Sequence, residues 1–199
     1  VVNNVQRSAS LFLVKNLFSL LLTIFSTVLM ISYPLMPSQV SLISMFTIGI
    51  PGFLLALEPN KSRIKGHFLG NVLLKALPAG LTDFFAVSAL VICGHVFNIP
   101  STDIATASTL LIAVVGFMIM IKISHPFNNF KYGILALNIF GLIFCGLFLD
   151  NLFAMSDMSN ICILLTIVFG FAAESMFRYI TIFVEFIQNR MRKKKNALR

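Results

Sequence analysis

Charge is what this 199-residue chain has least of: 11% of it is charged and 58% hydrophobic, with a mean hydropathy of +0.93. A soluble globular domain carries roughly a quarter charged residues, so that class is excluded. The three cysteines, Cys93, Cys145 and Cys162, lie inside apolar runs and lack CxxC or metal-ligand spacing. They read as small hydrophobes and exclude neither an oxidising nor a reducing compartment. The formal charge of +8 does not point to nucleic acid, because the cations fall between apolar stretches and form no solvated basic face. The alternation expected of barrel strands is missing, as are internal repeats and any soluble domain.

What is present is long apolar runs. Spanning the hydrocarbon layer takes about 20 apolar residues in a helix. Six segments qualify, at about 9–33, 38–57, 69–97, 104–123, 131–150 and 159–187. Backbone groups in lipid must bond within their own segment, so the fold class is all-α. The sequence predicts a single polytopic membrane domain over 1–199, six transmembrane helices in an antiparallel bundle, with a basic tail at 188–199.

Cations orient the bundle, because Lys and Arg in short loops stay on the cytoplasmic side. One side carries Arg7, then Lys61, Arg63, Lys65 and Lys75, then Lys122 and Lys131, then the tail from Arg190 to Arg199. The loops "YPLMPS", "NIPSTD" and "DNLFAMSDMS" on the other side hold no Lys or Arg and three aspartates, Asp103, Asp150 and Asp157. Both termini are expected in the cytoplasm, with the tail anchoring to lipid headgroups. Only Lys15 and Arg178 fall inside helices. The start at Val1 without Met is read as a piece cut from a longer polypeptide.

Ionisable groups at mid-membrane cost about 2.5–3.5 kcal/mol on insertion scales, so each needs a reason. Glu174 and Arg178 are four residues apart on one helix face and can neutralise each other, or mark a proton or ion pathway. Asp83 in "PAGLTDFFAV" has no such local partner and is open to an interhelical hydrogen bond or a functional role. His95, with no second His or carboxylate at helical spacing, reads as an interfacial residue.

The second segment, "SLISMFTIGIPGFLLALEPN", carries Gly49, Pro51 and Gly52 near its middle. Pro51 removes a backbone donor about one turn after Thr47, and the glycines let the turn loosen. The helix is therefore expected to be unwound near Gly49–Pro51. Freed carbonyls beside the Ser44 and Thr47 hydroxyls would form an oxygen-rich patch suited to a hard cation; a kink that only serves packing is the alternative. In the first segment, Asn16 and Ser19 stand three apart on one face, and an Asn in so apolar a helix wants a partner. Asn16 facing the loosened turn would complete a two-helix polar pocket, unless it serves packing alone.

Two stretches carry a resemblance. "VVNNVQRSASLFLVKN" resembles the entry into the fifth transmembrane helix of P-type cation-transporting ATPases, and "LMPSQVSLISMFTIGIPGFLLALEPN" resembles their sixth, with Pro37, Gln39, the Thr47-x-Gly49-x-Pro51 turn and Pro59. The order of segments matches helices five to ten of bacterial pumps whose sixth helix reads "FTIGIP" and ends in "ALEPN". The resemblance implies that Asn16 and Thr47 match cation ligands of the calcium pumps and that Ser44 replaces a ligand Asn. Ser19 stands where those pumps place a Glu, and Ile48 where they place an Asp. Calcium is the cation the resemblance implies, and the two missing carboxylates leave potassium, sodium, magnesium or an organic cation open.

The chain has no DKTGT motif, nucleotide domain or hinge aspartates. The resemblance therefore assigns Mg2+ and ATP to a parent enzyme, with this chain's partners being the lipid bilayer, the transported cation, and the N-terminal helices and cytoplasmic domains of that parent. It implies that the helix running on from Asn3 and Asn4 transmits movement, and that Glu58, Pro59, Asn60 and Lys61 contact the phosphorylation domain. It also implies a bacterial plasma membrane. A self-contained six-helix carrier or channel, or an inert structural bundle, are the other readings.

Overall fold

The computed structural model describes residues 2–57 and 68–197; the expected contact loop Glu58–Lys61 lies outside them. All regular structure among these residues is helical. In chain order the elements are α1 (Val2–Val28), α2 (Pro37–Ser44), a π-helical segment (Met45–Gly49), α3 (Ile50–Leu57), α4 (Phe68–Val96), α5 (Ser101–Ser124), α6 (Asn129–Phe148), the single turn α7 (Asp150–Phe153) and α8 (Asn160–Ala197). Six helical stretches are long and apolar enough to cross a membrane: Val5–Val28, Pro37–Leu57, Gly70–Val96, Ser101–Ser124, Asn129–Phe148 and Asn160–Gln188.

Helix ends differ from the sequence expectation in two places. α1 begins at Val2 and stops at Val28, not near 33, and α8 continues to Ala197. Both extensions are polar stretches free of Pro and Gly, so nothing in them opposes a helix once lipid no longer demands apolar residues. The α1 exit is a tight turn in which Met30 adopts a φ of 54° and Ile31 N–H returns to the Ser26 carbonyl.

Lipid gives helices no hydrophobic reason to associate, so close packing of small residues must do it. α4 supplies them: Ala76 and Ala79 are fully buried. At Gly80 a Cβ would stand 2.8 Å from Leu17 Cδ2 of α1, so only glycine lets these two helices approach as they do. α5 is the central post, with buried residues around most of its circumference from Asp103 to Ser124. One core cluster joins Leu11 and Val14 of α1, Ala76 and Leu90 of α4, Leu111 and Val115 of α5, and Cys162 and Ala173 of α8. A smaller one sets Leu42 and Phe46 against Ala113 of α5 and Leu142 and Cys145 of α6.

Polar groups close the ends of the bundle. Gln39, fully buried, accepts from Met36 N–H through Oε1 at 2.9 Å and donates from Nε2 to the Ala154 carbonyl at 2.8 Å, tying the start of α2 to the turn after α7. At the same end Asp103 Oδ2 accepts from Ser159 N–H at 2.9 Å, and Thr106 Oγ1 accepts from Ser156 N–H at 3.0 Å. At the opposite end of α5, Lys122 Nζ bonds Glu185 Oε1 of α8 at 2.9 Å.

Candidate ion site in the membrane

The irregularity in the second segment takes a different form from the expected unwound turn. The chain stays helical from Pro37 to Leu57, and the disturbance is one π turn, in which Ile50 N–H reaches back five residues to the Met45 carbonyl. The extra residue is absorbed by widening the helix, which costs less than leaving backbone unbonded in lipid. Pro51 has no N–H, so the carbonyl it would serve in the π register, that of Phe46, receives no main-chain donor from it. The π turn is the type of irregularity that gathers at functional sites.

The π turn and the start of α3 are held from three sides. Ser8 Oγ of α1 donates to the Gly52 carbonyl at 3.2 Å. On α5, a Cβ at Gly116 would stand 2.7 Å from Thr47 Cγ2, and on α6, a Cβ at Gly141 would collide with the Phe46 ring. Glycine at these two positions admits the swollen turn.

Beside the turn lies a cavity of about 40 Å³ between α1, α2, the π segment, α4 and α5. Ser44 and Thr47 line it together with Lys15, Ile48, Asp83 and Gly116. Thr47 is buried and Ser44 half-buried. Ser44 Oγ donates to the Val40 carbonyl at 2.6 Å and Thr47 Oγ1 to the Ile43 carbonyl at 2.8 Å. With their protons spent along their own helix, both hydroxyl oxygens keep lone pairs to offer as acceptors. Among the described residues, no group of three or more His, Cys, Asp or Glu could hold a metal ion.

The structure does not bring the remaining expected residues together. Asn16 is exposed and Ser19 half-buried, with Ser19 Oγ 3.4 Å from the Tyr33 hydroxyl. The expected two-helix pocket of Asn16 and the loosened turn does not form within this chain. The reason is helical phase: α1 buries Leu11, Val14, Phe18 and Leu22, a stripe that takes in Lys15 and, at 3.6 residues per turn, leaves Asn16 off the buried face. Lys15 therefore occupies the position expected of Asn16. Gly49 is exposed and Pro51 buried. Glu174 and Arg178 form an ion pair of 2.6 Å on the outward side of α8. His95 is exposed near the end of α4.

Six helices long and apolar enough to cross a membrane, packed around a small and mostly apolar cavity, define an integral membrane protein. No protein-family model matches the chain. It is similar to the "Probable cation-transporting ATPase exp7" of Streptococcus pneumoniae, 28% identical over 156 residues, which make up 74% of this chain and 20% of that protein. It is also similar to the calcium-transporting ATPase CtpE of Mycolicibacterium smegmatis, 30% identical over 142 residues, 64% of this chain and 18% of the other. The same-named protein of Mycobacterium tuberculosis is 27% identical over 142 residues. Its homologues are thus cation-transporting P-type ATPases, and the six helices agree with the C-terminal membrane region of such a pump. The chain spans about a fifth of the length of these relatives.

Proposed function

We propose that this chain is the C-terminal membrane part of an ATP-driven cation pump of the bacterial plasma membrane, with both termini in the cytoplasm, and that the cavity beside Thr47 belongs to the pump's ion site. The observation that carries the reading is the π turn at Met45–Gly49, set in a helix apolar and long enough to cross the membrane and placed against a small cavity that Ser44 and Thr47 line. The relatives named for cation transport support it, and the calcium named for CtpE makes calcium the first cation to try.

In this reading Ser44 and Thr47 contribute neutral oxygens. Asn16 and Ser19, on the open side of α1, contribute from a face that the N-terminal helices of the parent would cover. Phosphorylation, with Mg2+ and ATP, falls to cytoplasmic domains of the parent, since this chain has no DKTGT motif. Its task is to hold the ion and to change access to it when those domains move.

The test is ATP hydrolysis by the full-length parent in liposomes, scanned over single cations, beside Thr47→Ala and Asn16→Ala variants. Stimulation by one cation that the variants lose supports the reading. Hydrolysis indifferent to every cation contradicts it.

A further inference from the structure

We infer that the bundle binds the phosphate of an anionic phospholipid at the end where the chain termini lie, with Lys75 of α4 and Lys122 of α5 as its contacts and Arg7 of α1 adding to the attraction. The inference concerns the rim of the bundle and stands independently of the ion-site reading.

Helix register brings the two lysines to one level. Consecutive helices α4 and α5 run antiparallel and touch near the opposite end, where a Cβ at Gly94 would stand 2.5 Å from Ile104 Cδ1. Lys75 lies about 19 residues from Gly94 and Lys122 about 18 from Ile104, so at 1.5 Å per residue both backbones are about 27–28 Å from that contact. This is close to the ~30 Å thickness of the hydrocarbon layer. Both lysines therefore stand near one end of the apolar stretches Gly70–Val96 and Ser101–Ser124, at the depth where lipid phosphates lie.

Positive charge gathers here from three helices. The charges of Arg7 and Lys122 both bear on the Lys75 ammonium. Lys75 is exposed and the Lys122 side chain is 35% exposed, so an outside anion can reach both. Like charges held close together repel, and an anion among them removes the cost. Among the described residues, the carboxylates toward this end are Glu185 and Glu174, each already held by a cation: Lys122 at 2.9 Å and Arg178 at 2.6 Å. The bond to Glu185 takes one of the three protons on Lys122 Nζ and leaves two to donate.

The depth selects a lipid over a soluble anion. A free phosphate would have to descend to the headgroup layer, whereas a lipid phosphate already stands there, and basic pockets between membrane helices take anionic headgroups. Apolar surface for the acyl chains adjoins the lysines. Phe177 of α8 has its ring centroid 6.0 Å from Lys122 Nζ, and Ile182, one turn before Glu185, is 56% exposed.

The test is photolabelling of the full-length parent in phosphatidylcholine vesicles containing phosphatidylglycerol with a photoreactive headgroup, beside the same group carried on phosphatidylcholine. The phosphatidylglycerol probe should label peptides containing Lys75 and Lys122 about fivefold more than the phosphatidylcholine probe, the scale of one lysine acting on an anionic lipid. Lys75→Gln should bring the two probes close to equal, and Lys75→Arg should keep the difference. Equal labelling by both probes, or a difference that survives Lys75→Gln, overturns the proposal. Loss of the difference in millimolar inorganic phosphate assigns the site to a soluble anion and overturns the lipid reading.

Should Lys75→Gln not assemble, the two probes on the unaltered protein decide. Labelling needs no hydrolysis. A pump indifferent to every cation would contradict the ion-site reading and leave this result standing.

Discussion

Thr47 and Gly116 meet in close contact between the π turn and α5: a Cβ on Gly116 would stand 2.7 Å from Thr47 Cγ2 and 2.9 Å from Thr47 Cβ. The π turn projects Thr47 toward α5, and α5 answers with the one side chain that leaves room. Gly116→Ala must push Thr47 or α5 aside. Overpacking of this kind costs about 1–3 kcal/mol. The expected outcome is a lower thermal unfolding midpoint of the detergent-solubilised protein together with weaker cation stimulation of the parent. Gly133→Ala, where a Cβ meets nothing within 4 Å, should change neither.

Lys15 and Asp83 line one cavity, and an ammonium there bears on any cation placed beside it. Lys15→Met keeps the length of the side chain and removes the ammonium. The entering cation then meets one repulsive charge fewer, and its half-stimulating concentration should fall about threefold or more. A rise would mean that Lys15 supports the site, not that it competes for it.

Gln39 is buried with both ends of its amide bonded, one to Met36 N–H and the other to the Ala154 carbonyl. Gln39→Leu fills the space and strands two backbone groups. Each buried orphan costs about 1–3 kcal/mol. The loss should register as a fall in thermal stability, with the half-stimulating cation concentration unmoved, because the latch lies at the end of the bundle.

Glu174 and Arg178 pair on the outward side of α8, away from the cavity. Glu174→Gln alone leaves a lone cation on an apolar helix, whereas the double change Glu174→Gln, Arg178→Gln leaves none. The double variant should accumulate in membranes better than the single one, and it should hydrolyse ATP with unaltered cation dependence. Altered dependence would place the pair on the ion path after all.

The membrane helices were legible because lipid imposes one rule, a long apolar run, and the sequence obeys it six times. The π turn was half legible. Gly49, Pro51 and Gly52 announced an irregularity, but whether a helix unwinds or widens depends on what surrounds it, and Gly116 and Gly141 lie about 70 to 90 residues further along the chain. The phase of α1 was not legible at all. A helix apolar on every side has no periodicity to show which face packs inward, so the choice between Asn16 and Lys15 fell to α4 and its small residues. Asp83 stood out as a charge in an apolar run, yet only the fold places it in the same space as Thr47.

The most direct measurement is ATP-dependent cation uptake into liposomes by the full-length pump and by its Thr47→Val variant, which removes one oxygen and keeps the shape that packs on Gly116. The ion-site account predicts that the half-saturating cation concentration rises by about 10-fold, roughly 1.4 kcal/mol, with the protein still folded. Equal uptake at every concentration would contradict it and leave the π turn as a packing feature alone.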